Sequence, residues 1–244
     1  MIQIYSFKWG NKYGPEYVNR LYGSLVKNCS LPFTYTCITD DSVGIRPEVK
    51  IIDYQTWDPF PYTKDRVFTR EKIVLFDRST AEFNAWIDLD VLIHNDITDI
   101  LTRRTDNFTM IFNHWFDLQK KSLQWYGKGA SCHINSSFVQ WNGTNARWLY
   151  DYTVQNQEKV FFTYKSLDKY LFYQHYRHGR IQFWEPNIVY NYNYNDPPHV
   201  KLEDHRIAIF NTSHIKNNNL QHDALELHDA VGWARDLWES YDTV

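Results

Sequence analysis

Short apolar runs alternate with amphipathic segments through the first half of the chain, the pattern of βαβ units. Ile2–Phe7 reads as a buried first strand. Pro15 suits the first turn of a helix, and Val18, Leu21, Tyr22, Leu25 and Val26 recur behind it at helical spacing. Phe33–Thr39 is expected as a second strand ending at Asp40-Asp41, Val49–Tyr54 as a third and Ala85–Leu89 as a fourth, with a helix over Thr63–Asp77. The second half is mixed. Strands are expected over Asn107–Asn113, Ser137–Trp141, Ile181–Trp184 and Ile207–Phe210. A helix over Thr144–Gln157 places Ala146, Leu149, Tyr150 and Val154 on one face, and a second is capped by Ser166 and stopped after His178 by Gly179. A last helix, from about Asp223 to Tyr241, carries an apolar stripe of Leu227, Val231, Ala234, Trp238 and Tyr241. With neither repeat nor low-complexity linker, the expectation is one α/β domain.

Composition refines this picture. The 244 residues are 43% hydrophobic and 23% charged, enough for a substantial core. The formal net charge of −3 argues against a general nucleic-acid binder, which needs a surplus of Lys and Arg. Aromatic residues reach 18%, and such side chains either fill cores or stack on bases and sugars. The run Tyr190-Asn191-Tyr192-Asn193-Tyr194 suggests a carbohydrate-facing surface, with a polar loop over the core as the alternative. Cys29, Cys37 and Cys132 have no metal-ligand spacing and read as reduced thiols. No segment approaches the apolar length of a membrane span, and a cytoplasmic location is expected.

The candidate chemistry lies in Trp86-Ile87-Asp88-Leu89-Asp90-Val91-Leu92-Ile93. At period two, Asp88 and Asp90 fall on one side of a strand and Ile87, Leu89, Val91 and Ile93 on the other. Two carboxylates in an apolar strand are costly unless a positive partner meets them. Mg²⁺ or Mn²⁺ suits their oxygens and also coordinates phosphates. The competing account is a strand that ends in a solvated turn. Position favours the first account, since open α/β sheets bind ligands at the ends of such strands.

This stretch resembles the strand-plus-DxD signature of the GT-A glycosyltransferases, most of all the glycogenin and bacterial lipopolysaccharide galactosyltransferase group (family 8-like). The likeness covers most of the chain. It implies a single GT-A domain, with a Rossmann-like nucleotide-binding half over about 1–95 and a mixed-sheet sugar and acceptor half over about 96–244. The implied activity is metal-dependent transfer of a hexose from a UDP- or GDP-linked donor to a glycan or other hydroxyl acceptor. Asp88 and Asp90 would hold Mn²⁺ or Mg²⁺ on the donor diphosphate. Ser6 matches the loop that meets the base and ribose, where either Tyr13 or Trp9 would stack on the base. Asp40 matches an acidic residue that meets the base, although an Asx turn is the plainer account.

Lys72, with Arg70, precedes the acidic pair at the family's interval and would neutralise phosphate or hold the carboxylates. Asn135 and Ser137 match an Asn-x-Gly loop that contacts the donor sugar, with Ser137 standing where Gly is usual. Asp168 matches an Asp-Gln pair beside the reacting carbon, with Lys169 replacing the Gln. The likeness favours retention of configuration; inversion would need Asp168 as the base. The family's late His has Asn211 in its place, so His214, Asn211 or phosphate oxygens would complete the metal shell, and Lys216 would meet the diphosphate. Two other classes compete. A sugar-nucleotide pyrophosphorylase needs a richer Gly loop than Trp9–Gly14 offers, and a degenerate transferase would bind sugar or nucleotide without turnover.

Overall fold

The computed structural model describes residues 1–57, 70–115, 133–164, 166–193, 199–210 and 226–244. Outside them lie Thr63–Thr69 of the second expected helix, Cys132, Tyr194, the proposed Asn211, His214 and Lys216, and the start of the last expected helix.

A seven-stranded mixed sheet organises the molecule. Its strands are β1 (Ile2–Lys8), β2 (Phe33–Thr39), β3 (Lys50–Asp53), β4 (Phe83–Ile87), β6 (Phe108–Phe112), β7 (Ile134–Trp141) and β8 (Ile181–Phe183), in the order β3-β2-β1-β4-β7-β6-β8. β3, β2, β1 and β4 run parallel, and β7 is antiparallel to both β4 and β6. The intervening β5 (Val91–Ile93) joins a smaller sheet with β10 (Ile207–Ile209) and β9 (Val189–Asn191), in the order β5-β10-β9.

Period-two alternation divides each central strand between two cores. Ile2 and Ile4, Tyr35 and Cys37, and Ala85 and Ile87 face α1 (Pro15–Asn28). Tyr5 and Phe7, Ile38 and Trp86 face the opposite layer, where Ile73–Phe76, Leu149 and Tyr170 pack. Of that layer's helices, α2 (Leu75–Arg78), α4 (Arg147–Gln155), α5 (Gln157–Thr163) and α6 (Leu167–His178), α2 contributes Phe76, whose ring lies 5.3 Å from Trp86, 5.1 Å from Phe108 and 5.1 Å from Trp141. Such pairs add about 0.5–1.5 kcal/mol each beyond the area they bury. The aromatic surplus therefore builds core. α3 (Thr98–Leu101) follows β5.

Several expectations need correction. β4 stops at Ile87, so Asp88, Leu89 and Asp90 form a turn between β4 and β5 and not a continuous strand. The helix over Thr144–Gln157 breaks at Asn156 into α4 and α5, and Thr153 is buried in place of the exposed Val154. The tyrosine run is not an open surface: Tyr190, Asn191, Tyr192 and Asn193 are buried, and the Tyr192 hydroxyl donates to Val231 O at 3.0 Å. The last helix is also divided. A 3-10 turn at Leu227–Asp229 is followed by Gly232 at φ 59° and only then by α7 (Trp233–Ser240). A side chain is strained at that φ, so the helix restarts there and Val231 is left exposed.

Cys29 and Cys37 are buried free thiols. Among the described residues no helix is long and apolar enough to cross a membrane.

Two outcomes test this packing. A Cβ on Gly23, within α1, would lie 2.3 Å from the Tyr241 carbonyl oxygen, closer than any side chain tolerates. Alanine adds about 1 kcal/mol of helix propensity, but backbone overpacking costs about 1–3 kcal/mol and is expected to win. Gly23→Ala should lower Tm by several degrees in a thermal melt; an unchanged or raised Tm contradicts the contact. His94, buried against Tyr190 and Trp233, has its pKa pushed down to about 3 by burial, then by Lys201 and His205. Its unfolded form takes up a proton near pH 6.5 and its folded form does not. Stability from this residue is full above pH 6.5 and falls as pH drops toward 3, by at most about 1.4 kcal/mol per pH unit. His94→Phe should flatten the denaturant-measured decline between pH 6.5 and 4; an unaltered slope would show that the imidazole is not held neutral.

Candidate active site

The chain runs outward from β1 to β2 and β3, then crosses back to β4 on the other side of β1, so the sheet reverses its winding at the β1/β4 boundary. Crevices at the carboxyl ends of strands around such a reversal are where open α/β sheets hold ligands. The carboxyl ends of β1, β2 and β4 bring Lys8, Thr39-Asp40-Asp41 and Asp88 to one edge, and antiparallel β7 begins there with Ile134–Ser137.

Asp88 sits at the centre. Its N–H donates to Ser137 O at 2.8 Å, continuing the β4–β7 ladder by one bond. One carboxylate oxygen, Oδ1, meets Lys72 Nζ at 2.5 Å. Lys72 rides a 3-10 turn, Arg70–Val74, and its side chain is 6% exposed. Burial works against its charge, but Asp88, Asp168 and Glu71 outweigh burial and hold the ammonium above its ordinary pKa. Asp168 lies in the first turn of α6, where Ser166 Oγ caps the Lys169 N–H. Its Oδ1 accepts the Ser136 N–H at 3.0 Å. Burial raises the Asp168 pKa, and the Ser136 hydrogen bond and Lys72 offset only part of that rise. Asn135 Oδ1 closes a local turn by accepting the Ser137 N–H at 2.8 Å, and Trp86 Nε1 donates to Ser136 O at 2.5 Å. Lys72, Asp88, Asn135, Ser137 and Asp168 thus form one contiguous group.

A second group surrounds Asp90. The Tyr13 hydroxyl lies between two carboxylates, 3.2 Å from Asp90 Oδ2 and 3.0 Å from Glu226 Oε2. Lys12 Nζ pairs with Glu226 Oε1 at 2.9 Å. Burial, then the charges of Asp88 and Glu226, push the Asp90 pKa up to about 6, with Lys12 in partial opposition. Burial and the same carboxylates raise the Tyr13 phenol, which stays protonated and donating.

The remaining expected residues lie on the β1/β2 side. Asp40 Oδ2 accepts the Gly10 N–H at 3.0 Å and fixes the loop after β1. Ser6 is buried with its hydroxyl 2.5 Å from that of Tyr35, turned into the core. The two stacking candidates differ. Tyr13 packs on Tyr17 at 4.7 Å and is committed through its hydroxyl, whereas Trp9, 38% exposed, is stacked on Tyr54 at 5.5 Å.

Glu226 was not expected from the sequence; Lys12 lies in the loop expected to meet the base and ribose, but its pairing with Glu226 was not foreseen. Glu226 opens the C-terminal segment as the N-cap of the turn at Leu227–Asp229, in a capping box with Asp229. The local signal was an acidic residue three positions before another. A continuous helix through this region hid it, because Glu226 then reads as a solvated helix charge. Lys8 is likewise buried, with Nζ donating to Asp41 O at 3.1 Å.

The donor set suits a hard divalent cation. Two carboxylates in one turn offer anionic oxygens, and their mutual repulsion, visible at Asp90, is what a cation relieves. Among the described residues no three His, Cys, Asp or Glu side chains are arranged around one metal position. Mg²⁺-type sites commonly use one or two carboxylates and take their remaining oxygens from water and substrate phosphates, so two are sufficient here.

No family model and no curated protein sequence matches the chain. Solved structures do. The galactosyltransferase LgtC, in complex with donor and acceptor sugar analogs, superposes with a TM-score of 0.61 at 10% identity over 99% of this chain and 95% of that one. An active-site mutant of LgtC gives a TM-score of 0.62 at 10% identity and the same coverage. The apo form of the glycosyltransferase GlyE from Streptococcus pneumoniae TIGR4 gives 0.59 at 13% identity, over 99% of this chain and 60% of that one. The likeness is one of architecture, over nearly the whole chain: the protein has the GT-A glycosyltransferase fold.

Proposed function

We propose that the protein is a metal-dependent glycosyltransferase that moves a hexose from a UDP- or GDP-linked donor to a hydroxyl of a glycan or other acceptor. The observation that carries this reading is the pair Asp88 and Asp90 in the β4–β5 turn, with Lys72 salt-bridged to Asp88 at the winding reversal of the sheet. Residues of about 1–95 would form the nucleotide side and residues of about 96–244 the sugar and acceptor side. Asp88 and Asp90 would hold Mn²⁺ or Mg²⁺, which when bound neutralises charge developing on the departing diphosphate.

This chain's own groups do the rest. Lys72 fixes the Asp88 carboxylate by its Oδ1, leaving Oδ2 for ligation, and adds positive charge beneath the diphosphate. Residues 135–137 of β7 and Asp168 form the wall beside the sugar, held rigid by the Ser136–Asp168 and Trp86–Ser136 hydrogen bonds. A raised pKa suits Asp168 to hold or accept a proton near the acceptor hydroxyl if transfer inverts configuration. Trp9 is the better placed base platform, because Tyr13 is engaged by Asp90 and Glu226.

The direct test is hydrolysis of a panel of nucleotide sugars with and without Mn²⁺, since many transferases slowly cleave their own donor. We expect release of one nucleotide, dependent on the metal and reduced at least about a hundredfold by Asp90→Ala, because cation stabilisation of a leaving diphosphate is worth several kcal/mol. Donor binding without turnover, even with candidate acceptors, would instead indicate a binding protein, and absence of any nucleotide binding would sink both readings. Lys72→Met should reduce turnover by at least about tenfold and lower Tm as well, since Asp88 would lose its cation at a half-buried position. Wild-type turnover in that variant would remove Lys72 from the machinery.

A further inference from the structure

Helix α6 buries Leu167, Tyr170, Leu171 and Gln174 against the sheet. Lys169, Tyr173 and Tyr176, spaced by four and three residues, therefore share its outward side. Tyr173 is 40% exposed and Tyr176 70%. The Tyr164 ring, 5.5 Å from that of Tyr173, continues this face to the end of α5, where Phe162 is 78% exposed. Cations border the rings. The charge of Arg177 is felt by the Tyr164 phenol, and the Arg180 guanidinium lies 5.1 Å from the centroid of Trp148 on α4.

Singly exposed apolar residues are ordinary, but grouped ones mark contact surfaces. Charge then selects the partner. Residues 169–180 contain Lys169, Arg177 and Arg180 and neither Asp nor Glu, although the chain carries a formal net charge of −3. Among the described residues, none of these three cations pairs with a carboxylate. The face is thus a positive field on a net-negative protein, and it draws anions to this side alone. A helix face is convex and cannot enclose a small anion, whereas a broad anionic plane meets rings and cations together. In a bilayer, Tyr rings settle at the headgroup level, Phe reaches the acyl boundary, and Lys and Arg meet anionic headgroups.

We propose that the outward face of α6, with Phe162 of α5, docks the protein on an anionic lipid bilayer, with Lys169, Arg177 and Arg180 at the lipid phosphates and Phe162, Tyr173 and Tyr176 at the boundary beneath them. Such attachment is peripheral and depends on neither the metal nor the transferase reading. Tyr176 stands roughly 12 Å along the helix from Asp168, so the docking face lies apart from the wall of the candidate active site.

The test is flotation of the full chain with vesicles, recorded with EDTA so that no divalent cation bridges lipid phosphate to the acidic turn. The wild type is expected to float with vesicles of phosphatidylserine and phosphatidylcholine at about 3:7, less so as salt rises, and not with phosphatidylcholine alone. One cation near such a surface is worth roughly fivefold in binding, so Arg177→Gln/Arg180→Gln should weaken it about twenty-fivefold. Phe162→Ser/Tyr176→Ser, which keeps every charge, should weaken it at least several-fold. Both variants alter exposed side chains and should melt as the wild type does. Absence of flotation, equal flotation with phosphatidylcholine alone, or wild-type flotation of the arginine variant overturns the proposal. So does wild-type flotation of the aromatic variant, which would mark a surface for soluble polyanions instead.

Discussion

A lysine ammonium buried beneath the carboxyl edge of a sheet is costly without a compensating partner, and Lys72 has an anion in contact, Asp88 at 2.5 Å. Much of the site's geometry follows from this pair. Asp88 is fixed along the chain by its N–H on Ser137 O, which ties the β4–β5 turn to the first residues of β7. The adjacent Ser136 spends its N–H on Asp168 and its carbonyl on Trp86, so the first turn of α6 and the aromatic core brace the same two residues. Asp168 and Lys72 also influence each other's charge directly. The ammonium therefore couples a 3-10 turn, a strand end and a helix start that are far apart in sequence. A buried pair of this kind is weak evidence for stability, since its desolvation cost is large. Its presence at the winding reversal is better explained by the need to hold a carboxylate in place.

Asp90 obeys a different constraint. Among the described residues it has no cation in contact, and it is kept near two other carboxylates, so burial and their charges raise its proton affinity. The protein answers with a neutral donor, the Tyr13 phenol, shared with Glu226. That arrangement draws together the loop after β1, the β4–β5 turn and the C-terminal segment. Tyr17 reinforces it through His228, 2.5 Å from its hydroxyl. Two acidic residues two positions apart in one turn thus have opposite partners: a salt-bridged ammonium on one side and a shared hydroxyl on the other.

How much of this was legible in the sequence depended on the range of the interactions. Phe33–Thr39 was read with its observed bounds and α1 from its Pro15 start, because period and propensity are local and each segment is covered on the expected face. The helix after Ser166 followed from its cap and from Gly179. The acidic pair was found by its type and position, yet placed in a strand, because alternation of apolar residues continues across a turn when both flanking strands are buried. The C-terminal segment failed for a related reason: Leu227, Ala234, Trp238 and Tyr241 keep a helical stripe although the backbone breaks at Gly232. Glu226 was not legible, since its partners Tyr13 and Lys12 lie more than two hundred residues away.

The aromatic content sharpens the same point. A composition of 18% Phe, Trp and Tyr is compatible with sugar-stacking surfaces or with a heavy core, and composition cannot choose between them. Packing does. Trp86, Trp141, Phe76 and Phe108 fill the layer under β4 and β7, while Tyr190 and Tyr192 fill the space around the small sheet. The Asp88 turn therefore stands on large rigid rings, and Trp86, the residue two before Asp88, spends its indole N–H on the carbonyl of Ser136, whose own N–H meets Asp168. Among the described residues, Trp9, stacked on Tyr54, is exposed beside the loop that Asp40 fixes. A site that must place carboxylates, an ammonium and a ligand within a fraction of an ångström gains more from stiff support than from additional contact surface. Here the rings serve the chemistry mainly by holding the backbone beneath it.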